Sequence, residues 1–499
     1  MKSHRARSAA ALLLLWLAGW LWFGRHALLD DALIHLRYAQ GLARTGFLTF
    51  DGTTQSYGAS SPLYVALLGL LARVMESPLL PKAVSILGYL LLLGLAAAAG
   101  LRDNGARAGW MALLMVLLAP MGQRWLTDGM ETSLVGAMVL LLAAVAFREP
   151  PDESLSAMLL LGLLGAGLVL LRVELSLALF FAALGVLWLL PWRQAMRRLA
   201  PLAAGGFAGL LFLVHAFGHV LPDTAVAKRT APLSLLDALF QVGRSTLASL
   251  SFGVGLAVLW AVTLGLGLRR GGFHERMALL SANLLLPCVL TLIAARGQIL
   301  HGVRHVLWVY LFLIAWNLRS LALAERSVSG PPSRLLRHGL AAGLAVLLLA
   351  WSFETPAVAA ILRSRAEIFE AMRDQPLDRL AQSQGAAYDV GFVGFFTGAS
   401  ILDGNGLVNG RAFAVLTREE RARRIGAVRP DFLFVNQEQA VGLAPYLDLG
   451  AYRVCHGYRS VNLGSEQTHF LAVREPWPGR VGMACREPLP VELATEGRP

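Results

Sequence analysis

Two adjacent carboxylates, Asp30 and Asp31, stand just beyond the first apolar stretch of this sequence. Placed side by side they repel, which favours a raised pKa for one of them. Such a carboxylate can deprotonate a hydroxyl, or hold a divalent cation such as Mg or Mn against a phosphate. The plain alternative is a solvated loop with an aspartate capping the next helix. Six further charged residues belong to the same inventory. Arg37 can meet a phosphate or simply anionic lipid. Glu131 opens an apolar run, where it can face a substrate or only complement a helix dipole. Arg172 and Glu174, two positions apart, can act on a ligand or pair with each other. Lys228 and Arg304 can neutralise a bound phosphate or contact ordinary lipid phosphates. Asp389 and Asp403 fit turns or caps better than catalysis. His301, His305 and His469 make no metal-binding pattern.

The elements that carry these residues are apolar. The chain has 499 residues, 56% hydrophobic and 15% charged, with a mean hydropathy of +0.57. A soluble chain carries about a quarter charged residues. The excess apolar content sits in blocks near the ~20 residues that cross a bilayer. The pattern is helical and lacks the alternation of a membrane β-barrel. The net charge of +12 is scattered in short basic clusters between apolar blocks, which excludes a nucleic-acid-binding face and fits the positive-inside bias.

That bias also fixes the count. If Pro62–Met75 crossed the membrane, Arg193, Arg197, Arg198, Arg269, Arg270 and Arg276 would all face outside. A helix of that length reaches only ~21 Å, so it is expected to lie in the outer interface. About eleven spans remain: Ala9–Phe23, Ala83–Leu101, Ala108–Met121, Thr132–Phe147, Leu155–Leu171, Leu175–Leu190, Leu199–Phe217, Leu250–Leu268, Met277–Ala295, Val306–Leu318 and Gly339–Phe353. The basic N-terminus is expected in the cytoplasm, as an uncleaved signal anchor. Outside then lie 24–82, 123–131, 218–246 and 296–305, which hold Asp30, Asp31, Arg37, Glu131, Lys228 and Arg304.

Residues 1–353 thus form a transmembrane domain and 354–499 a polar tail holding most of the acidic residues. The tail is expected to be a small α/β domain outside the membrane, with a helix over Val358–Met372 and strands at Asp431–Asn436 and Phe470–Val473. Cys455 and Cys485 are either bridged there or unpaired. Transporters place ionisable residues mid-span. Here the polar groups gather at the outer interface, which favours a membrane enzyme acting on a lipid-linked head group.

The first outer loop carries a more specific signal. Asp30-Asp31-Ala32, Ile34, Arg37-Tyr38-Ala39, a Gly/Phe-rich turn, then Ser61-Pro62-Leu63-Tyr64 resembles the first outer loop of the GT-C superfamily, integral-membrane glycosyltransferases that use polyprenyl-phosphate sugars. The nearest group contains the terminal arabinofuranosyltransferases of actinobacterial cell walls. Weaker matches follow in order: Gly129-Met130-Glu131-Thr132, Leu171-Arg172-Val173-Glu174 (Val for Pro), Leu221-Pro222-Asp223-Thr224 with Lys228, Val303-Arg304-His305, and Asp389 to Gly394 with Asp403 to Leu407 in the tail.

The resemblance implies an α-helical polytopic membrane protein of GT-C type, with interface helices and a C-terminal α/β extramembrane domain. It implies sugar transfer, hexosyl or pentosyl, from a polyprenyl-phosphate donor to a glycan, lipid or protein acceptor of the cell envelope. The reaction would take place on the periplasmic side of a bacterial inner membrane. Asp30 or Asp31 would be base or ligand to a divalent cation. Arg37, Glu131, Arg172, Glu174, Lys228 and Arg304 would bind substrate. Membrane lipids are partners; nucleic acid and nucleotide sugars are not expected. The alternatives are a transporter or flippase of lipid-linked saccharides, which would run a polar cavity through the bundle, and a non-catalytic scaffold.

Overall fold

The computed structural model describes residues 2–103, 106–147, 154–229, 232–296, 304–326, 334–462, 465–476, 484–485 and 487–489. The first half of the chain is almost wholly helical: α1 (Lys2–Phe23), α2 (Asp30–Thr45), α3 (Pro62–Ala72), α4 (Leu80–Arg102), α5 (Arg107–Leu117), α6 (Pro120–Leu126), α7 (Thr132–Ala146), α8 (Leu155–Leu171), α9 (Leu175–Leu189) and α10 (Trp192–Phe217). Next come α11 (Asp223–Ala227), α12 (Leu235–Leu247), a π-helical turn over Leu250–Val254, α13 (Gly255–Arg270), α14 (Phe273–Asn283), α15 (Leu285–Arg296), α16 (Arg304–Arg326) and α17 (Arg334–Arg373).

Among the described residues, six helices are long and apolar enough to cross a membrane: Leu80–Arg102, Trp192–Phe217, Leu250–Arg270, Phe273–Ala295, Arg304–Ala324 and Ala345–Arg373. Five of the shorter apolar helices, α1, α5, α7, α8 and α9, coincide with the remaining expected spans. The sixth shorter one is α3, whose 11 residues rise only ~17 Å. It packs on α2 and also touches α8 and α4.

Local sequence explains the closest packing. Gly162 and Gly165 on α8 face Gly205 and Gly206 on α10, and a Cβ at Gly205 would run into the Gly162 carbonyl. Small residues let two backbones touch where lipid offers no hydrophobic drive for association. Helix α16 is the central strut. Phe312, Leu313, Ile314, Ala315 and Trp316 are all fully buried, so its first residue, Arg304, is delivered at a fixed point at the end of the bundle.

The expected break after Phe353 is absent. Helix α17 runs unbroken for 40 residues, Arg334–Arg373, with Pro356 inside it. Val358, Ile361, Phe369 and Met372 form one buried stripe beyond the proline. Packing of that stripe against the following domain offsets the cost of a proline in the helix interior. The helix therefore joins the membrane bundle to the sheet as one rod.

The C-terminal domain is a six-stranded sheet of order β2-β1-β3-β5-β4-β6, built from β1 (Gln384–Ala387), β2 (Ser400–Asp403), β3 (Phe432–Asn436), β4 (Tyr452–Asn462), β5 (Ser465–Arg474) and β6 (Glu487–Pro488). The β2-β1-β3 side is parallel, and the remainder is antiparallel. Alternation along β3 divides its residues between two cores. Phe432 and Phe434 join the cluster that runs down into the membrane helices, while Leu433 and Val435 join a separate core on the other face. Between β1 and β2 lies α18 (Val390–Thr397), which packs directly on α2. Cys455 and Cys485 are bridged, tying β4 to the segment before β6.

Candidate active site

A cavity of about 80 Å³ opens where α2, the turn before α7, the α8–α9 corner, α11 and the start of α16 meet. Asp31, Glu131, Arg172, Glu174, Lys228 and Arg304 line it. Six of the eight residues selected from the sequence therefore converge, from segments spread over more than half of the chain. The enclosed space falls short of the ~300 Å³ of ordinary ligand pockets, so it fits the reacting end of a ligand rather than the whole of one.

Each side chain is placed by a local device. Asp31 sits in the first turn of α2, and Arg304 Nη2 donates to its Oδ2 at 2.7 Å. Glu131 precedes α7 and is 1% exposed. It is delivered by a turn at Gly129, whose φ of +91° and close neighbours Leu28 and Ala32 admit no side chain. Arg172 ends α8 in extended conformation, and Glu174 begins α9. Arg172 reaches both Glu174 Oε1 at 2.7 Å and Glu131 Oε1 at 3.6 Å, so the mutual pairing and the contact with Glu131 coexist. Lys228 closes α11, a five-residue helix pinned to the first loop. Asp223 holds it there, accepting from the Tyr57 amide at 3.1 Å while its own amide donates to the Tyr57 carbonyl at 2.8 Å.

The electrostatics separate the two aspartates. Burial works to raise the Asp31 pKa, but Arg304 and Lys228 outweigh it and hold the carboxyl well below its ordinary range. Burial lowers the Lys228 ammonium, and Asp31 restores part of that loss. Asp30 goes the other way. Burial, with Asp389 nearby, raises it well above the ordinary value, against the opposing pull of two backbone amides. Those amides belong to Phe392 and Gly391, at 2.8 and 2.9 Å, in the first turn of α18. Asp30 is thus a cap on a helix of the C-terminal domain and does not line the cavity.

Arg37 is also elsewhere. It donates to the carbonyls of Phe50 at 3.1 Å and Gly398 at 2.8 Å, fastening α2 to the first loop and to the C-terminal domain. Asp389 pairs with His469 at 2.6 Å. Asp403 accepts from the amides of Asn405 and Leu407 and so shapes the turn that carries Leu407 to the cavity wall. His301 lies outside the described residues.

The donor set does not suit a divalent cation held by an Asp30–Asp31 pair. Both Asp30 oxygens are engaged by backbone amides, and Asp31 already faces two cations. Among the described residues no three His, Cys, Asp or Glu side chains cluster as ligands.

The cavity wall also holds His35 and His305, neither of them among those eight residues. His35 lies one turn after Asp31 on the same helix face, is 3% exposed and borders Glu131. The spacing of four from Asp31 was the available signal.

Crystal structures of ArnT from Cupriavidus metallidurans, one bound to undecaprenyl phosphate and one in the apo state, share this architecture. Their TM-scores are 0.54 and 0.52 at 12% and 13% identity, covering 94% and 93% of this chain and 98% of each of those chains. The chain has an ArnT-like fold. No family model and no curated protein matches the sequence. The likeness extends over the membrane helices and the C-terminal domain together.

Proposed function

We propose that this protein is a membrane glycosyltransferase that takes a sugar from a polyprenyl-phosphate donor. The observation that carries this reading is Asp31 held in one cavity between Arg304 and Lys228, on an ArnT-like scaffold. An acceptor hydroxyl attacks the anomeric carbon, and the bond from that carbon to the phosphate oxygen breaks. The electron pair leaves on polyprenyl phosphate, and the acceptor proton passes to Asp31 or to water. Lys228 and Arg304 stabilise the leaving phosphate, where the largest negative charge develops. Glu131 and Arg172 orient the sugar. In this reading Arg304 exchanges part of its bond to Asp31 for the phosphate, which frees the carboxylate as the donor binds.

The proposed acceptor is a glycan, lipid or protein of the cell envelope, reached on the periplasmic side of the inner membrane, where the positive-inside bias puts the cavity. The first-loop resemblance makes a pentose, arabinofuranose among them, one arm of any donor panel. The mid-span polar groups of Trp260, Thr263, Asn283 and Asn317 hydrogen-bond to one another, which favours an enzyme over a transporter.

The test is transfer from synthetic polyprenyl-phosphate pentoses and hexoses by the purified full chain in detergent. Transfer by the wild type, lost in Asp31→Asn with unchanged melting temperature, is expected. A folded wild type that transfers from none of them overturns the reading.

A further inference from the structure

The ring of His35 is held in one orientation. Its Nδ1 lies 2.8 Å from the backbone carbonyl of Asp31, and its edge rests on Tyr64 with centroids 5.7 Å apart. A carbonyl oxygen only accepts, so Nδ1 carries the proton of the neutral ring and Nε2 presents a lone pair. Nε2 faces Glu131 Oε2 at 3.9 Å. That is too long for a hydrogen bond. Among the described residues neither buried atom has a hydrogen-bond partner, and both residues line the cavity. The other oxygen of Glu131 faces Arg172 at 3.6 Å, which draws the carboxylate away from the ring.

Two buried acceptors across such a gap are costly unless a donor stands between them. We infer that His35 Nε2 and Glu131 Oε2 form a hydroxyl-recognition subsite for the transferred sugar. With neutral His35, two neighbouring sugar hydroxyls each donate, one to the nitrogen and one to the carboxylate. With imidazolium, Nε2–H donates to a hydroxyl oxygen whose own hydrogen goes to Glu131. In either state the group that satisfies the pair bears O–H hydrogens. A phosphate dianion or a prenyl chain supplies none. The subsite therefore selects the sugar, while Lys228 and Arg304 select the phosphate beside it. His35 is a specificity residue here. This inference rests on the glycosyltransferase reading.

The decisive variant is His35→Asn. Its amide nitrogen takes the place of Nδ1 and keeps the bond to the Asp31 carbonyl, while Nε2 is removed. Wild type and variant are assayed with the intact donor and with donors in which each hydroxyl is replaced in turn by hydrogen. In the wild type, one or two deoxy donors should lose about 10- to 100-fold in kcat/KM. The variant should lose a similar factor on the intact donor and show almost no further loss on those same deoxy donors, with full loss retained on the others. Glu131→Gln serves as a second variant should His35→Asn fold poorly. A parallel series of monodeoxy acceptors with intact donor separates the two sources of hydroxyl. Equal, additive losses for every deoxy donor, or coupling found only with deoxy acceptors, overturn the subsite. Absence of transfer by the wild type overturns the glycosyltransferase reading and this inference with it.

Discussion

Asp30 and Asp31 are consecutive residues on one helix, yet they serve two different regions. Asp31 faces a cavity of balanced charge, where Arg304 and Lys228 keep it ionised. Asp30 faces the seam between α2 and α18, where its oxygens are consumed by the amides of Gly391 and Phe392. The seam is tight. A Cβ on Gly391 would overlap the Asp30 backbone carbonyl, and Arg37 adds a second fastening at Gly398. One carboxylate is thus committed to holding a domain and the other is left for chemistry. Successive residues on a helix point about 100° apart, and that rotation alone assigns the two roles. The C-terminal domain accordingly orients the helix that carries Asp31, and also lends Leu407 to the cavity wall.

The sharpest break of this comparison is a pair of variants. Asp31→Asn should cut transfer by about 10²- to 10⁴-fold, the usual range for a positioned acid or base, with little change in melting temperature. Equal activity in the variant would move the chemistry away from Asp31. Arg304→Gln comes next. It removes a charged donor from both Asp31 and the leaving phosphate, so kcat/KM should fall by about 10- to 100-fold with a rise in donor KM. A loss confined to thermal stability would make Arg304 a strut only.

Asp30→Asn should show the opposite pattern. It sets an amide nitrogen against one of the two α18 amides, costing about 1–3 kcal/mol of stability, and lowers the melting temperature while leaving most transfer intact at low temperature. Loss of activity without loss of stability would return Asp30 to the catalytic machinery.

The smallest effect concerns Asp403, whose pKa burial pushes up to about 7 against the amides of Leu407 and Asn405. Its folded value exceeds its unfolded value. The native state therefore binds more protons between about pH 4 and pH 7, and stability falls as pH rises through that window. Melting curves of the wild type should show this slope, reinforced by Asp30, and Asp403→Asn should flatten it. An unchanged slope in Asp403→Asn would remove Asp403 as its source.

Much of the membrane fold was legible because its signals are local. Leu155–Leu171 is a helix between those same two residues, since an unbroken apolar run needs no distant partner to be helical in a bilayer. The short helix α3 was legible for a related reason: its apolar run begins directly after Ser61 and opens on Pro62. Strands at Phe432–Asn436 and within Ser465–Arg474 followed from their apolar patterns. The continuity of α17 through Phe353 was not legible, although its end at Arg373 lies one residue beyond the expected helix Val358–Met372. Pro356 and a change in composition argue for a stop, whereas packing of Phe369 and Met372 keeps the helix going.

At the site, the sequence by itself determined which charges are available. An ionisable group at a membrane interface is expensive enough to stand out, so six of the eight chosen residues line one cavity. Only the tertiary structure decided how they divide. Asp30 meets its amides across 361 and 362 positions, Arg37 meets Gly398 across 361, and Asp31 meets Arg304 across 273. His35 acquires a role only because Glu131 arrives beside it from another helix. Hydropathy and charge bias act over one or two turns of chain. Hydrogen bonds between elements depend on packing angle and register, which no short window of sequence contains.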